Sequence, residues 1–252
     1  MTRAAFRRAR RPEHKQQRRE AILSAARELA RTSGVRNVSL GAVAEAVGLA
    51  KSNIVRYFGT REEIYLVLLA EEWRSWADAV RAALRQSSEP GSPHRIALGQ
   101  SSEHGSPQRI ALGQSSEHGS PHRIATLLAD TLIERPLFCD LLSHSSTTLE
   151  HNVSVEAARA YKVTALSLVA ELGEHVAAAA GLSPREGAEL VGAACALAGM
   201  LYQASNPPPA LAQVYAEDPA LDAACPKMEP SLARALTALA AGLPALREQQ
   251  PG

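Results

Sequence analysis

Cysteine is scarce in this chain of 252 residues: Cys139, Cys195 and Cys225 are three in number, widely spaced, and form no C-x-x-C pair. Such spacing fits neither a disulfide framework nor a zinc finger, and it suits a reducing cytoplasm, which is the expected location. Aromatic residues make up only 4% and strand-like runs are nearly absent, so the alanine-rich segments read as helix. No apolar run of about 18 residues occurs, so no membrane span is expected. The arginine-rich start is not followed by the apolar stretch of a secretion signal. A Glu-x-x-His pair, a Gly-rich phosphate loop and a G-x-S-x-G elbow are also missing. A helical-bundle enzyme is therefore left with His144 and Glu150-His151 as acid–base residue types but no catalytic motif, and no cofactor is expected.

Against these absences stands one informative stretch, SLGAVAEAVGLAKSNIVRYF, residues 39–58. Ser39 can cap a short helix whose apolar side carries Val43, Ala44 and Val47. Gly48 can take a positive φ, and Leu49 supplies an apolar plug, so the chain can leave one helix and enter another within a few residues. In the second helix, residues 50–58, Ile54, Tyr57 and Phe58 share one side, while Lys51, Ser52, Asn53 and Arg56 fall mainly on the other. Lys and Arg neutralise phosphate, and Asn can pair with an adenine edge in a major groove. Spacing alone fits a helix-turn-helix or a helical hairpin with an ordinary solvated face.

Charge separates the two readings. Residues 1–61 hold 14 Lys or Arg against 4 Asp or Glu, whereas the rest of the chain holds 13 against 22, so the formal net charge of +1 hides a polar molecule. A basic amino-terminal end beside an acidic remainder is expected where one domain attracts a polyanion. Double-stranded DNA is the expected partner.

Residues 16–70 resemble the amino-terminal domain of the TetR family of bacterial transcriptional regulators. The resemblance is carried by Arg19-Glu20-Ala21-Ile22-Leu23, Ala26, Leu29, Gly34, Val38-Ser39, Val43-Ala44, Val47-Gly48-Leu49, Tyr57-Phe58 and Thr60-Arg61-Glu62-Glu63-Ile64. It implies an all-α protein in which a three-helix DNA-binding domain, residues 15–62, joins a larger helical regulatory and dimerisation domain, residues 63–252. It also implies phosphate contacts from Ser39, Tyr57 and Arg61, a homodimer, and a repressor released from a palindromic operator by a small molecule. The sequence departs from the family pattern at Ala50, where Ser is usual, and at Val55 and Arg56, where Tyr is frequent.

The remaining segments fit this plan. A first helix over residues 15–32 carries Ile22, Ala26, Leu29 and Ala30 as its buried stripe, and residues 1–14, rich in arginine, read as a mobile arm. Thr60-x-x-Glu63 is a capping box opening a fourth helix, residues 61–85, with Ile64, Leu68, Trp73, Trp76, Val80 and Leu84 on its apolar side. A 14-residue repeat then runs through SSEPGSPHRIALGQ, SSEHGSPQRIALGQ and SSEHGSPHRIATLL. Copies so short and poor in apolar residues cannot build a solenoid, so residues 87–120 read as a duplicated linker. His94, His104, His118 and His122 lack the compact spacing of metal ligands, and no metal is expected. Further helices are expected over residues 121–134, 137–149, 153–180, 183–205 and 231–246. The small residues Gly187, Ala188, Gly192, Ala193, Ala194, Ala196, Ala198 and Gly199 would let another helix approach closely, and the resemblance implies a dimer interface formed by the last two long helices, with which they are compatible. An effector chamber lined by Trp76, Cys139, His144, Tyr161 and Tyr202 is expected among the later helices.

Overall fold

The computed structural model describes residues 3–88 and 120–249, with side chains for 13–87 and 120–247. Apart from its ends, the expected linker at 87–120 lies outside the described residues, as do His94, His104 and His118. The described chain is helical. Helix α1, Arg3–Ser33, begins well before the expected boundary at residue 15, so helical backbone runs through most of the segment read as an arm. Gly34, at φ 80°, ends it and leads through a 3₁₀ turn, Val35–Asn37.

Helix α2, Leu40–Ala46, starts where expected because the Ser39 hydroxyl accepts the Ala42 N–H at 3.1 Å. Gly48, at φ 63°, makes the turn into α3, Lys51–Val55. This helix is shorter than the expected 50–58: Ala50 has no side chain to cap its first turn, a contribution worth about 0.5–2 kcal/mol where Ser is present, and Arg56 and Tyr57 follow in a turn. The long α4, Arg61–Ser88, buries Ile64, Leu68, Trp73, Trp76 and Val80, as its periodicity predicts.

The larger domain continues with α5, Pro121–Ile133, and α6, Pro136–His144, followed by a π-helical turn, Ser145–Leu149. Then come α7, Val155–Ala180, and α8, Pro184–Ser205, separated by the left-handed Gly181. The three prolines at 207–209 end α8 as expected, but Pro209 also opens α9, Pro209–Glu217, and Pro219 opens α10, Pro219–Ala224; the sequence reading had no helix here. Proline at the first helical position ends one helix and begins the next equally well. Helix α11, Met228–Gly242, runs into a 3₁₀ turn, Leu243–Gln249.

Helix α8 lies at the centre, packed on α6, α7 and α11. Its glycines explain how. A Cβ at Gly187 would lie 2.0 Å from the Gly173 carbonyl oxygen of α7, and one at Gly199 would lie 2.9 Å from the Ser143 N on α6. Part of the small-residue stripe expected between two copies therefore serves close helix approach inside one copy. By length and composition α7 could cross a membrane, yet here it buries Leu172, Val176 and Ala177.

The capping box at Ser183 and Glu186 is complete, and Arg247 from the final turn adds a bidentate ion pair to Glu186. That pair, with the Ser183 N–H, holds the Glu186 carboxyl down to about 2.

Two outcomes follow from this packing. Gly187→Ala forces α7 and α8 apart and lowers the unfolding free energy by about 1–3 kcal/mol in urea titration. Gly192→Ala, where a Cβ meets nothing within 4 Å, is neutral or stabilising by up to about 1 kcal/mol. Because the folded Glu186 pKa lies below its ordinary 4.5, its contribution is complete above that value and disappears as pH falls towards 2. Glu186→Gln is accordingly less stable than wild type at neutral pH, and the difference in melting temperature closes as the pH falls.

Candidate nucleic-acid interface and domain junction

The outer side of the helix-turn-helix is built from the inside. Ile54 is fully buried and Phe58 nearly so, with the Arg19 guanidinium 4.8 Å above the Phe58 ring. With that side fixed, Lys51, Ser52, Asn53 and Arg56 are left exposed and Tyr57 half-buried, and Ser39 is exposed at the start of α2. Asn53, Arg56 and Tyr57 line one cleft of about 490 Å³ together with Leu49 and, from α1, Lys15 and Arg18.

Lys15 and Arg18 were not singled out from the sequence, although a signal was present. They precede Ile22 by seven and four residues, so the α1 face that buries Ile22 and Ala26 carries them two turns and one turn earlier. Among the described residues none of Lys15, Arg18, Lys51 or Arg56 has an ion-pair partner. Four uncompensated cations beside an exposed Asn and three hydroxyls form a surface suited to phosphate and base edges.

Arg61, expected at the DNA phosphates, is engaged here with groups of its own chain. Its guanidinium donates to the Val38 and Val35 carbonyls, pairs with Glu62 at 3.1 Å and stacks 4.8 Å from the Tyr65 ring centroid. It holds the turn that leads into α2, and so acts on the position of Ser39 from within the protein. The neighbouring capping box is also modified. Thr60 accepts the Glu63 N–H at 3.2 Å, but the Glu63 carboxylate returns to Gly59, at 2.8 Å, and its other oxygen accepts the Ser154 N–H at the start of α7, at 2.9 Å. Burial raises the Glu63 pKa, but the N–H bonds from Ser154 and Gly59 outweigh it and lower the value below the ordinary range. The Thr60 hydroxyl donates to the Asn152 carbonyl at 2.8 Å, so the first turn of α4 is tied to the start of α7.

A second tie uses Asp140. Leu137, Phe138, Cys139 and Leu141 around it are all buried, and Asp140 itself is only 5% exposed. One oxygen accepts the Val35 N–H at 2.7 Å, and the other faces Gln203 at 3.3 Å and His144 at 3.5 Å. An Asp in an apolar run was the legible sign of a buried carboxylate in need of donors. Its partner 105 residues away was not legible.

The five residues expected around an effector divide. Trp76 is fully buried and donates to Thr131 at 3.1 Å, with Trp73 and Phe138 against its ring. Cys139 is buried, its thiol directed at the Leu132 carbonyl and pushed up to about 12 by burial. Tyr161 is buried beside Ser145 at 3.3 Å, and Tyr202 is half-buried. His144 instead lines a cavity of about 360 Å³ with Val35, Arg36, Arg61, Thr148 and Leu149. Among the described residues no three His, Cys, Asp or Glu side chains are grouped to hold a metal, and His122 meets Thr237 at 3.1 Å.

An exposed basic helix-turn-helix, hydrogen-bonded at two places to a larger helical domain, defines a two-domain DNA-binding transcriptional regulator. The chain belongs to the TetR family: residues 22–68 match the model for bacterial regulatory proteins of that family, and residues 106–247 match the tetracyclin repressor-like C-terminal domain. No curated protein sequence matches the chain. Among solved structures, the multidrug binding protein EbrR, complexed with imidazole, is 16% identical, with 88% of this chain and 94% of that chain covered and a TM-score of 0.50. Thermus thermophilus FadR, a TetR-family repressor bound to lauroyl-CoA, is 18% identical over 73% of this chain and 83% of that one, with a TM-score of 0.46. Bacillus subtilis FadR, bound to stearoyl-CoA, is 12% identical over 88% and 98%, with a TM-score of 0.45.

The junction can be tested directly. Asp140→Ala leaves the Val35 N–H buried without an acceptor and lowers stability by about 1–3 kcal/mol, with faster hydrogen exchange at the Val35 amide. Asp140→Asn, which keeps a carbonyl oxygen, restores most of the protection.

Proposed function

We propose that the chain is a homodimeric repressor that reads a palindromic operator through α3 and releases it when a small molecule binds the larger domain. The observation that carries the DNA contacts is the unpaired basic cleft. Lys15, Arg18, Lys51 and Arg56 neutralise phosphates, Asn53 and Ser52 face base edges, and Ser39 and Tyr57 donate to the backbone on either side. Arg61 contributes by fixing the turn before Ser39. In a dimer, two such surfaces lie about 34–36 Å apart, one turn of the duplex.

The second copy is proposed to pack on the exposed apolar residues of α7 and α8, where Val163 is 61% exposed, Leu166 65% and Met200 70%. Large apolar side chains exposed on two long helices suit contact with another protein surface. Effector binding is proposed within the core beneath α4. There the Tyr65 hydroxyl is fully buried with no hydrogen-bond partner among the described residues, and burial raises its pKa to about 12. A buried unpaired hydroxyl is suited to a ligand atom.

The double substitution Lys51→Ala and Arg56→Ala tests the reading. Fluorescence anisotropy on the selected operator should show affinity falling and the slope of log K against log salt shrinking by roughly 1–2. Asn53→Ala should cost about 1–3 kcal/mol at one base position with the slope unchanged. Unaltered affinity and slope in the double variant would place the DNA surface elsewhere.

A further inference from the structure

Helix α1, Arg3–Ser33, begins earlier than the packing of its domain needs. Its covered side starts with Arg19, half-buried with its guanidinium over the Phe58 ring, and with Ile22, the first buried residue of the described chain. Every described side chain before them, from Glu13 to Arg18, is exposed. At 1.5 Å per residue, the stretch from Arg3 to Arg18 carries the helix about 24 Å beyond its packed part.

Charge works against a helix in this extension. Residues 3–11 contain five arginines and no acid, and the first turn holds no acidic residue to meet the helix dipole. Arg3, Arg7 and Arg11 stand four apart, a spacing at which like charges repel. Pro12 lacks the N–H that would bond to the Arg8 carbonyl. The acids that follow before Glu28 are Glu13 and Glu20, and Glu20 accepts from Gln16 at 2.6 Å. A projecting row of positive charge with so little to offset it suits a polyanion.

Its position says which polyanion. Lys15 and Arg18, at the base of the extension, line the cleft with Asn53, Arg56 and Tyr57. Counting back from them along α1 by threes and fours gives Arg11, Arg8 and Arg7, so the basic row of the cleft continues into the extension. A duplex seated on the cleft runs on past the few base pairs that α3 can face, and its phosphates are what the extension meets. An anionic lipid surface would also call for a broad apolar face, and residues 3–11 offer only Phe6 and three alanines.

We propose that the amino-terminal extension of α1 is a second DNA contact in each protomer, in which Arg3, Arg7, Arg8, Arg10 and Arg11 bind backbone phosphates outside the base pairs read by α3. The extension raises affinity for any duplex long enough to reach it and leaves the choice of operator to α3. This inference rests on the DNA-binding reading and adds to it an anchor that carries no sequence information.

The full chain and a variant combining Arg3→Gln, Arg7→Gln, Arg8→Gln, Arg10→Gln and Arg11→Gln test it, on the selected operator placed within random flanks of about one helical turn at each end. Fluorescence anisotropy should show the variant binding at least tenfold more weakly at physiological salt, with the slope of log K against log salt smaller by at least about 3 for the dimer. Hydroxyl-radical footprinting should show protection lost outside the base pairs that face α3 and kept within them. Base preference and melting temperature should not move, and the same five positions changed to Lys should keep the slope. An unchanged slope or footprint, or a changed base preference, would overturn the extension as a phosphate anchor. If wild type binds no duplex, the DNA-binding reading itself fails. If wild type binds and responds to Lys51→Ala with Arg56→Ala but not to the five Gln substitutions, that reading stands and the anchor alone is wrong.

Discussion

The Asp140 carboxylate, buried in the larger domain and accepting the Val35 N–H of the smaller one at 2.7 Å, is the contact on which the arrangement of the molecule depends. Removing a carboxylate from water is unfavourable unless donors replace the lost hydration. Here those donors come from α8 and the 3₁₀ turn before α2, with the His144 ring of α6 at 3.5 Å. The turn is held from its other side by Arg61, whose guanidinium donates to Val35 and Val38. Ser39, which opens the helix-turn-helix, is thus positioned from two directions by charged groups with little exposure to solvent. The Glu63 carboxylate, shared between Gly59 and Ser154, is the matching constraint at the far end of the motif.

This arrangement gives a physical route for control. A displacement of α6 or of the turn after it moves the acceptor of the Val35 N–H, and the recognition surface follows because Ser39 is only four residues away. Two fixed points, Asp140 and Glu63, tie the small domain to the larger one, and in the proposed dimer a change in the separation of the two recognition helices by a few ångströms is enough to break register with the duplex. Both anchors lie outside the cleft formed by α1 and α3, so the basic side chains are free for DNA.

Much of the amino-terminal half was legible in the sequence. Ser39, Gly48 and the buried pair Ile54 and Phe58 acted locally, through capping, positive φ and helical spacing, and the structure shows each as read. The intramolecular contacts of Arg61 were not legible, because its carbonyl partners at Val35 and Val38 are set by tertiary packing. Lys15 and Arg18 went unnoticed for the same reason: the approach of α1 to α3 is not written in either segment alone. In the larger domain, helix boundaries marked by Ser-Pro or Gly could be read, whereas α9 and α10 could not, since prolines at 207–209 and 219 signal a stop as readily as a start. The glycines of α8 looked like a surface for another copy. Which helix they admit depends on the fold, and Gly173 and Ser143 within the same chain occupy part of that stripe.

The central claim is that this surface recognises a two-fold DNA sequence, and selection of bound duplexes from a random pool by the full chain tests it most directly. The account predicts enrichment of an inverted repeat with half-sites centred about one helical turn apart. A pool that remains random after repeated rounds at physiological salt would contradict it.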